Sequence, residues 1–162
     1  MIQLRAFTRS DYAQLISWIS NAEMLMQFAG PRFTFPLTAS QLDGTLNEPN
    51  RYAFAVTENG KTIGHAEIYI GTTKAWIGRI IIGDPTLRGK GKGKQLMDLL
   101  LQIVFIQHQQ QVVELNVFDW NTAAIKCYES MGFVINPNGN TTRHVNGEAR
   151  TVLNMVKKSP AK

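Results

Sequence analysis

The sequence predicts a mixed α/β domain, built on a mostly antiparallel sheet with one parallel strand pair. Three observations carry this. Segments 51–57, 62–70 and 75–82 read as strands separated by turn signals, Asn59-Gly60 among them, which makes an antiparallel meander. A glycine-rich turn and a long apolar helix then lead to another strand at 112–118, and strand–helix–strand at this spacing closes as a right-handed parallel crossover. Asn146-Gly147 marks a closing hairpin.

Residues 2–7 alternate as a first strand. Ser10-Asp11 reads as a helix start, with Tyr12, Leu15, Ile16 and Ile19 at helical spacing. Asn21 to Pro36, rich in Met and Phe, reads as irregular. Thr38 and Gln41 fit a capping box, so a short helix is expected over about 39–47. After the meander, Leu96, Met97, Leu99, Leu100, Ile103 and Val104 give the crossover helix a broad buried face, and Gln107 to Gln111 reads as its solvated end. A further helix runs from about Thr122 to Met131 and stops at Gly132. About four helices thus flank the sheet. Residues 1–162 are expected as one domain, with 157–162 a frayed tail.

Composition narrows the class. Apolar residues make up 44% and charged residues 18%, a globular profile, and no apolar run approaches the roughly 20 residues of a membrane span. The start alternates like a strand and lacks the apolar core of a signal peptide. A single cysteine, Cys127, excludes an internal disulfide, so the cytoplasm is the expected compartment. The net charge of +5 suggests a polyanionic ligand. Arg88, Lys90, Lys92 and Lys94 concentrate that charge among Gly89, Gly91 and Gly93 at the start of a helix.

Two familiar phosphate loops fail here. Five residues after Gly89 stands Lys94 followed by Gln95, which breaks the Walker pattern, and the Gly-x-Gly-x-x-Gly fingerprint fails from both Gly89 and Gly91. The physics survives. Amides at a helix start lack intrahelical acceptors and carry the positive end of the dipole, and glycines let a pyrophosphate approach them.

The run Arg88-Gly-Lys-Gly91-Lys-Gly93 resembles the Arg/Gln-x-x-Gly-x-Gly/Ala signature of the GNAT acetyltransferases, which binds the pyrophosphate of acetyl-coenzyme A. Asp84-Pro85 before it is similar to the family as well. Downstream, Asn121, Ala124, Tyr128, Gly132 and Phe133 resemble its second motif in order and spacing. The closing hairpin is loosely similar to the branch of ribosomal-protein N-terminal and polyamine acetyltransferases.

The resemblance implies a GNAT-like fold whose sheet splays at the parallel pair, and an acetyl-coenzyme A-dependent N-acetyltransferase using direct attack in a ternary complex. It implies that Arg88, Gly89, Lys90, Gly91, Lys92, Gly93 and Lys94 hold the pyrophosphate. Main-chain groups near Ile81 and Ile82 would pair with the pantetheine arm, and Asn121, also a natural N-cap, would touch it. Tyr128 is the candidate general acid for the leaving thiolate. Cys127 lies about 100° around the helix and none of His65, His108 and His144 shares its element, which argues against a nucleophilic cysteine.

Glu67, a polar residue in an apolar strand, is the candidate base; the family often carries an acid on the cofactor strand itself, where this chain has Arg79. Asp119 is a second acid candidate, and Asn116 would orient water or substrate. Trp18, Met24, Phe28, Phe33 and Phe35 are candidates for an apolar acceptor pocket, with Glu23 facing a cationic amine. No metal is expected. The partner is a small-molecule amine or a protein N-terminus, with neither nucleic acid nor membrane, and the protein is a monomer or homodimer. Two other readings compete: an acyl-coenzyme A sensor without turnover, and a nucleic-acid-binding domain, which lacks aromatics within its basic run.

Overall fold

The computed structural model describes residues 1–160. The chain lays down β1 (Ile2–Ala6), α1 (Tyr12–Trp18), α2 (Ala22–Ala29), α3 (Ala39–Leu46), β2 (Arg51–Glu58), β3 (Lys61–Ile70) and β4 (Lys74–Ile82). It continues with α4 (Lys92–Gln102), β5 (Val112–Phe118), α5 (Thr122–Ser130), β6 (Val134–Ile135), β7 (Thr141–Val145) and β8 (Glu148–Lys158). One sheet runs β1-β2-β3-β4-β5-β8-β6, with β7 paired to β8. All pairs are antiparallel except β4 with β5. Among the described residues no helix is long and apolar enough to cross a membrane.

Each face of the sheet has its own core. On one, Val56, Ile68, Ile77 and Val113 pack against Leu96, Met97 and Leu100 of α4, with Phe133 after α5. On the other, α1, α2 and α3 bring Leu15, Leu25, Phe28 and Leu42 together with Phe7 and Phe33, and Ile81 packs against them.

Several expectations change. Residues 22–29 are helical rather than irregular: Asn21 caps α2 by accepting from the Met24 amide at 2.8 Å, and Leu25 and Phe28, three apart, bury one stripe. Among the described residues α2 brings the α-helices to five. The first helical turn starts at Arg9, where the Thr8 amide donates to the Asp11 carboxylate at 2.9 Å. The crossover helix ends in a wide turn over Ile103–Gln107, and Gln110 of the glutamine run is buried rather than solvated. Lys157 and Lys158 are not frayed. They extend β8, paired with Val113 and Val112, because β5 offers main-chain partners to the end of its length. Lys162 lies outside the described residues.

Two irregularities in β4 open the sheet and turn its side chains. β4 pairs with β5 only from Lys74 to Trp76, opposite Val112 to Glu114. Beyond that the strands part, while β4 keeps β3 as its neighbour through Ile82. Half of the main-chain groups of a strand point to each side, so the inner edge of β4 from Ile77 onward faces a gap. The second irregularity is a bulge, where the register slips between His65 and Glu67 of β3. Arg79 takes up the extra residue at φ 49°. The bulge reverses the alternation: Ala75 and Ile77 face the α4 core, and so do Ile80 and Ile82.

Candidate active site

The glycine run sits at the start of α4, as its spacing predicts. After β4 a short turn over Pro85–Leu87 is pinned by Asp84, which accepts from the amide and hydroxyl of Thr86 at 2.9 and 2.7 Å. Gly89 and Gly91 come next at φ 74° and 78°, a left-handed geometry that side chains resist, and Gly91 is the N-cap of α4. Apart from the adjoining chain, nothing lies within 4 Å of where a side chain would begin at Gly89, Gly91 or Gly93, so a ligand can approach this backbone closely. The cations divide. Arg88 donates to the Ile82 carbonyl at 3.3 and 3.2 Å, and Lys92 pairs with Glu58 at 2.6 Å. Lys90 and Lys94 are exposed at the same helix start.

The gap between β4 and β5 holds a cavity of about 500 Å³, lined by Ile77 to Ile82 on one side and Leu115 to Phe118 on the other. Arg88, Asn121 and Tyr128 close it. Asn121 is the N-cap of α5, accepting from the Ala124 amide at 3.4 Å. Burial pushes the Tyr128 phenol up to about 12, with a small push from neighbouring Cys127. The phenol is therefore neutral at any working pH and keeps a proton to donate. Burial also raises the Cys127 thiol, against the pull of Lys94, so it is not a ready thiolate.

A second cavity of about 520 Å³ adjoins the first, sharing Gln27, Phe28, Gly78, Arg79 and Asn116 with it. Glu67 lies in its wall, 5% exposed. One of its oxygens accepts from Arg51 and from Arg79, both at 3.1 Å, and the other meets His65 Nε2 at 2.8 Å. Burial alone would raise this carboxyl. The hydrogen bond and charge of His65, with the charges of Arg79 and Arg51, outweigh it and hold the group below its ordinary value. Glu67 is thus ionised, with both oxygens engaged.

Of the other residues singled out in the sequence, Met24, Phe28 and Asn116 line this trough. Trp18 and Phe33 do not. Trp18 packs on the backbone of Gly83, and Phe33 is buried beneath the Arg79 guanidinium, 4.7 Å from its ring centre. Phe35 is exposed, and Glu23 accepts from Asn146 at 3.3 Å. Arg51, Tyr69, Trp76 and Arg143 line the cavity without having stood out in the sequence, and His65, weighed there only as a partner for Cys127, meets Glu67 behind it. A signal for two of them was present: His65, Glu67 and Tyr69 recur at period two, a polar stripe on a strand whose other face is apolar.

Known proteins share this fold. The family model described as acetyltransferase (GNAT) family matches residues 18–133. An aminoglycoside N(6')-acetyltransferase type 1 of Klebsiella pneumoniae is 25% identical over 148 residues, covering 82% of this chain and 73% of the relative. The structure of spermidine N-acetyltransferase from Vibrio cholerae in complex with CoA and spermine superposes with a TM-score of 0.79 at 24% identity, covering 98% of this chain and 95% of that one. An aminoglycoside acetyltransferase AAC(6')-Ib in complex with coenzyme A gives 0.74 at 20% identity, with 98% and 95% covered. With a family model matching most of its length, on a sheet that parts at its one parallel pair, the chain belongs to the acetyltransferase (GNAT) family, the acetyl-coenzyme A-dependent N-acetyltransferases.

Proposed function

We propose that residues 1–162 act as a single unit in the cytoplasm and acetylate the primary amine of a small molecule, with both substrates bound at once. The observation that supports this best is the trough itself. Open glycine amides lie at one end, the free edge of β4 runs between, and a second cavity of a size suited to a small molecule adjoins it. The residues fit the coenzyme. Gly89, Gly91 and Gly93 leave room for a diphosphate at the α4 N-terminus, with Arg88, Lys90, Lys92 and Lys94 around it. The inner edge of β4 at Ile81 and Ile82, with Asn121 opposite, offers main-chain and amide partners to an extended arm.

In the reaction the amine nitrogen bonds to the thioester carbonyl carbon, the carbon–sulfur bond breaks, and the sulfur leaves with the electron pair. An N–H near Ile82 polarises the carbonyl. Tyr128 serves the sulfur. Because its phenol is pushed to about 12, above an ordinary thiol near 8.5, it donates a hydrogen bond to the departing sulfur more readily than it surrenders its proton. Asn116, lining both cavities, orients the amine. Glu67, the proton acceptor expected from the sequence, serves in this reading to anchor Arg51 and Arg79, because its oxygens are engaged and its proton affinity is lowered. The amine then sheds its proton to water in the trough.

The test is thiol release from acetyl-coenzyme A against a panel of amines. Tyr128→Phe is expected to lower kcat about a hundredfold, the usual effect of losing one transition-state donor, with coenzyme A affinity unchanged. The wild-type rate should not decline as pH passes 10, the ordinary tyrosine value, because the phenol stays protonated. Tight coenzyme A binding without thiol release from any amine would make the protein a sensor instead.

A further inference from the structure

The cavity beside Glu67 carries an excess of positive charge. Arg51, Arg79 and Arg143 line it, against the single acid Glu67. Glu67 already accepts from two of these guanidiniums and meets His65. Just outside, Glu48 pairs with Arg32 at 3.1 Å and stands 3.4 Å from Arg51 Nε. Counted together, four guanidiniums face two carboxylates. Each guanidinium carries five N–H donors, so donors far outnumber acceptors. Arg51 Nε is buried without a hydrogen-bond partner among the described residues.

The aromatic faces tell the same way. An aromatic-lined pocket can hold a cation over a ring, but here Tyr69 and Trp76 already carry the protein's own cations. Arg51 lies 5.5 Å from the centre of Tyr69 and Lys74 lies 5.0 Å from that of Trp76. Among the described residues, a polycation entering this cavity meets no free carboxylate, and of the lining rings only Phe28 and Phe118 are without a cation of the protein's own.

From this charge arrangement we infer that the acceptor is an amine that also bears an anionic head group, a carboxylate or a phosphate. The anion sits among Arg51, Arg79 and Arg143, and the amine points past Asn116 into the gap between β4 and β5. This rests on the acetyl-transfer reading for the use of the amine, but the anion site is a property of the cavity. It sets this chain apart from the relatives named for spermidine and aminoglycosides, whose acceptors are polycations. Planar carboxylates suit the forked guanidinium best, and phosphates share the same donors.

The experiment uses the full chain and matched amines: phenylalanine against phenylalanine amide, phosphoethanolamine against ethanolamine, and spermine. Thiol release gives kcat/KM, and calorimetry in the presence of coenzyme A gives binding without turnover. The anionic amine whose head group matches the natural one is expected to exceed its anion-free partner by about tenfold or more in kcat/KM, the worth of one charge-assisted hydrogen bond, with spermine poorest.

Arg143 is half-buried, and its guanidinium donates to the neighbouring Thr142 carbonyl at 3.3 Å rather than to Glu67, so Arg143→Gln leaves the Glu67 cluster intact. That variant should raise KM for the anionic amine by a larger factor than for its anion-free partner, with little change in kcat. Spermine or the anion-free amines reacting as well as the anionic ones would overturn the inference while leaving the acetyl-transfer reading standing. Anionic amines that bind, weaken with Arg143→Gln and yet release no thiol would do the reverse. Absence of binding by both anionic amines overturns the inference whatever the turnover.

Discussion

A carboxyl group sealed from water ordinarily keeps its proton, and Glu67 does the reverse because three cationic or hydrogen-bonding neighbours converge on it. The folded-state pKa lies below the unfolded value. The stabilisation is therefore complete above pH 4.5, the ordinary value, and is lost as falling pH protonates the folded carboxylate. Asp11, held low by the hydrogen bond from Arg5, works in the same direction. Denaturant titrations at stepped pH should show stability falling below about pH 4.5. In Glu67→Gln much of that slope should vanish and stability at pH 7 should drop by about 3–5 kcal/mol, because the buried Arg79 loses its anion and Arg51 keeps only the 3.4 Å contact with Glu48. A variant as stable as wild type would mean that the cluster is solvated.

At the scale of elements, the two devices are the glycine turn before α4 and the bulge in β4. Gly91 caps α4 at φ 78°, with open space where a side chain would begin. The cost of Gly91→Ala is therefore conformational, about 1–2 kcal/mol, and not a clash. In the proposed reading its methyl group also stands among the amides meant for the diphosphate. Steady-state kinetics should show KM for acetyl-coenzyme A rising about tenfold with kcat little changed, the signature of lost uniform binding. An unchanged KM would move the diphosphate elsewhere. The bulge gives Arg79 its place: without the extra residue, Arg79 would alternate onto the α4 face and leave Glu67 with one guanidinium fewer.

At the scale of the whole molecule, the sheet is divided where β4 leaves β5, so the half from β1 to β4 and the half from β5 to β8 are joined directly by only three residue pairs. A ligand lying along that gap touches both halves. Coenzyme A at a hundredfold excess over its Kd should add about 2.7 kcal/mol, raising Tm by roughly 5–10 °C for a chain of this size. A thermal-shift titration measures it, and a flat response would mean that the gap is not the binding trough.

Much of the fold was legible in one dimension because it is local. Asn59-Gly60 and Asn146-Gly147 set the hairpins, the apolar face of α4 set the crossover, and the run from Arg88 to Lys94 marked the glycine turn at its start, since turn chemistry, helical period and a positive φ are properties of a few adjacent residues. α2 escaped notice because its apolar stripe is short and embedded in a Met- and Phe-rich stretch with no second periodicity to set against it. The charge of the cavity beside Glu67 was decided only in three dimensions. Arg51, Glu67, Arg79 and Arg143 come from four strands, and it takes strand pairing, a one-residue bulge and the burial of Glu67 to turn four scattered ionic side chains into one cationic wall.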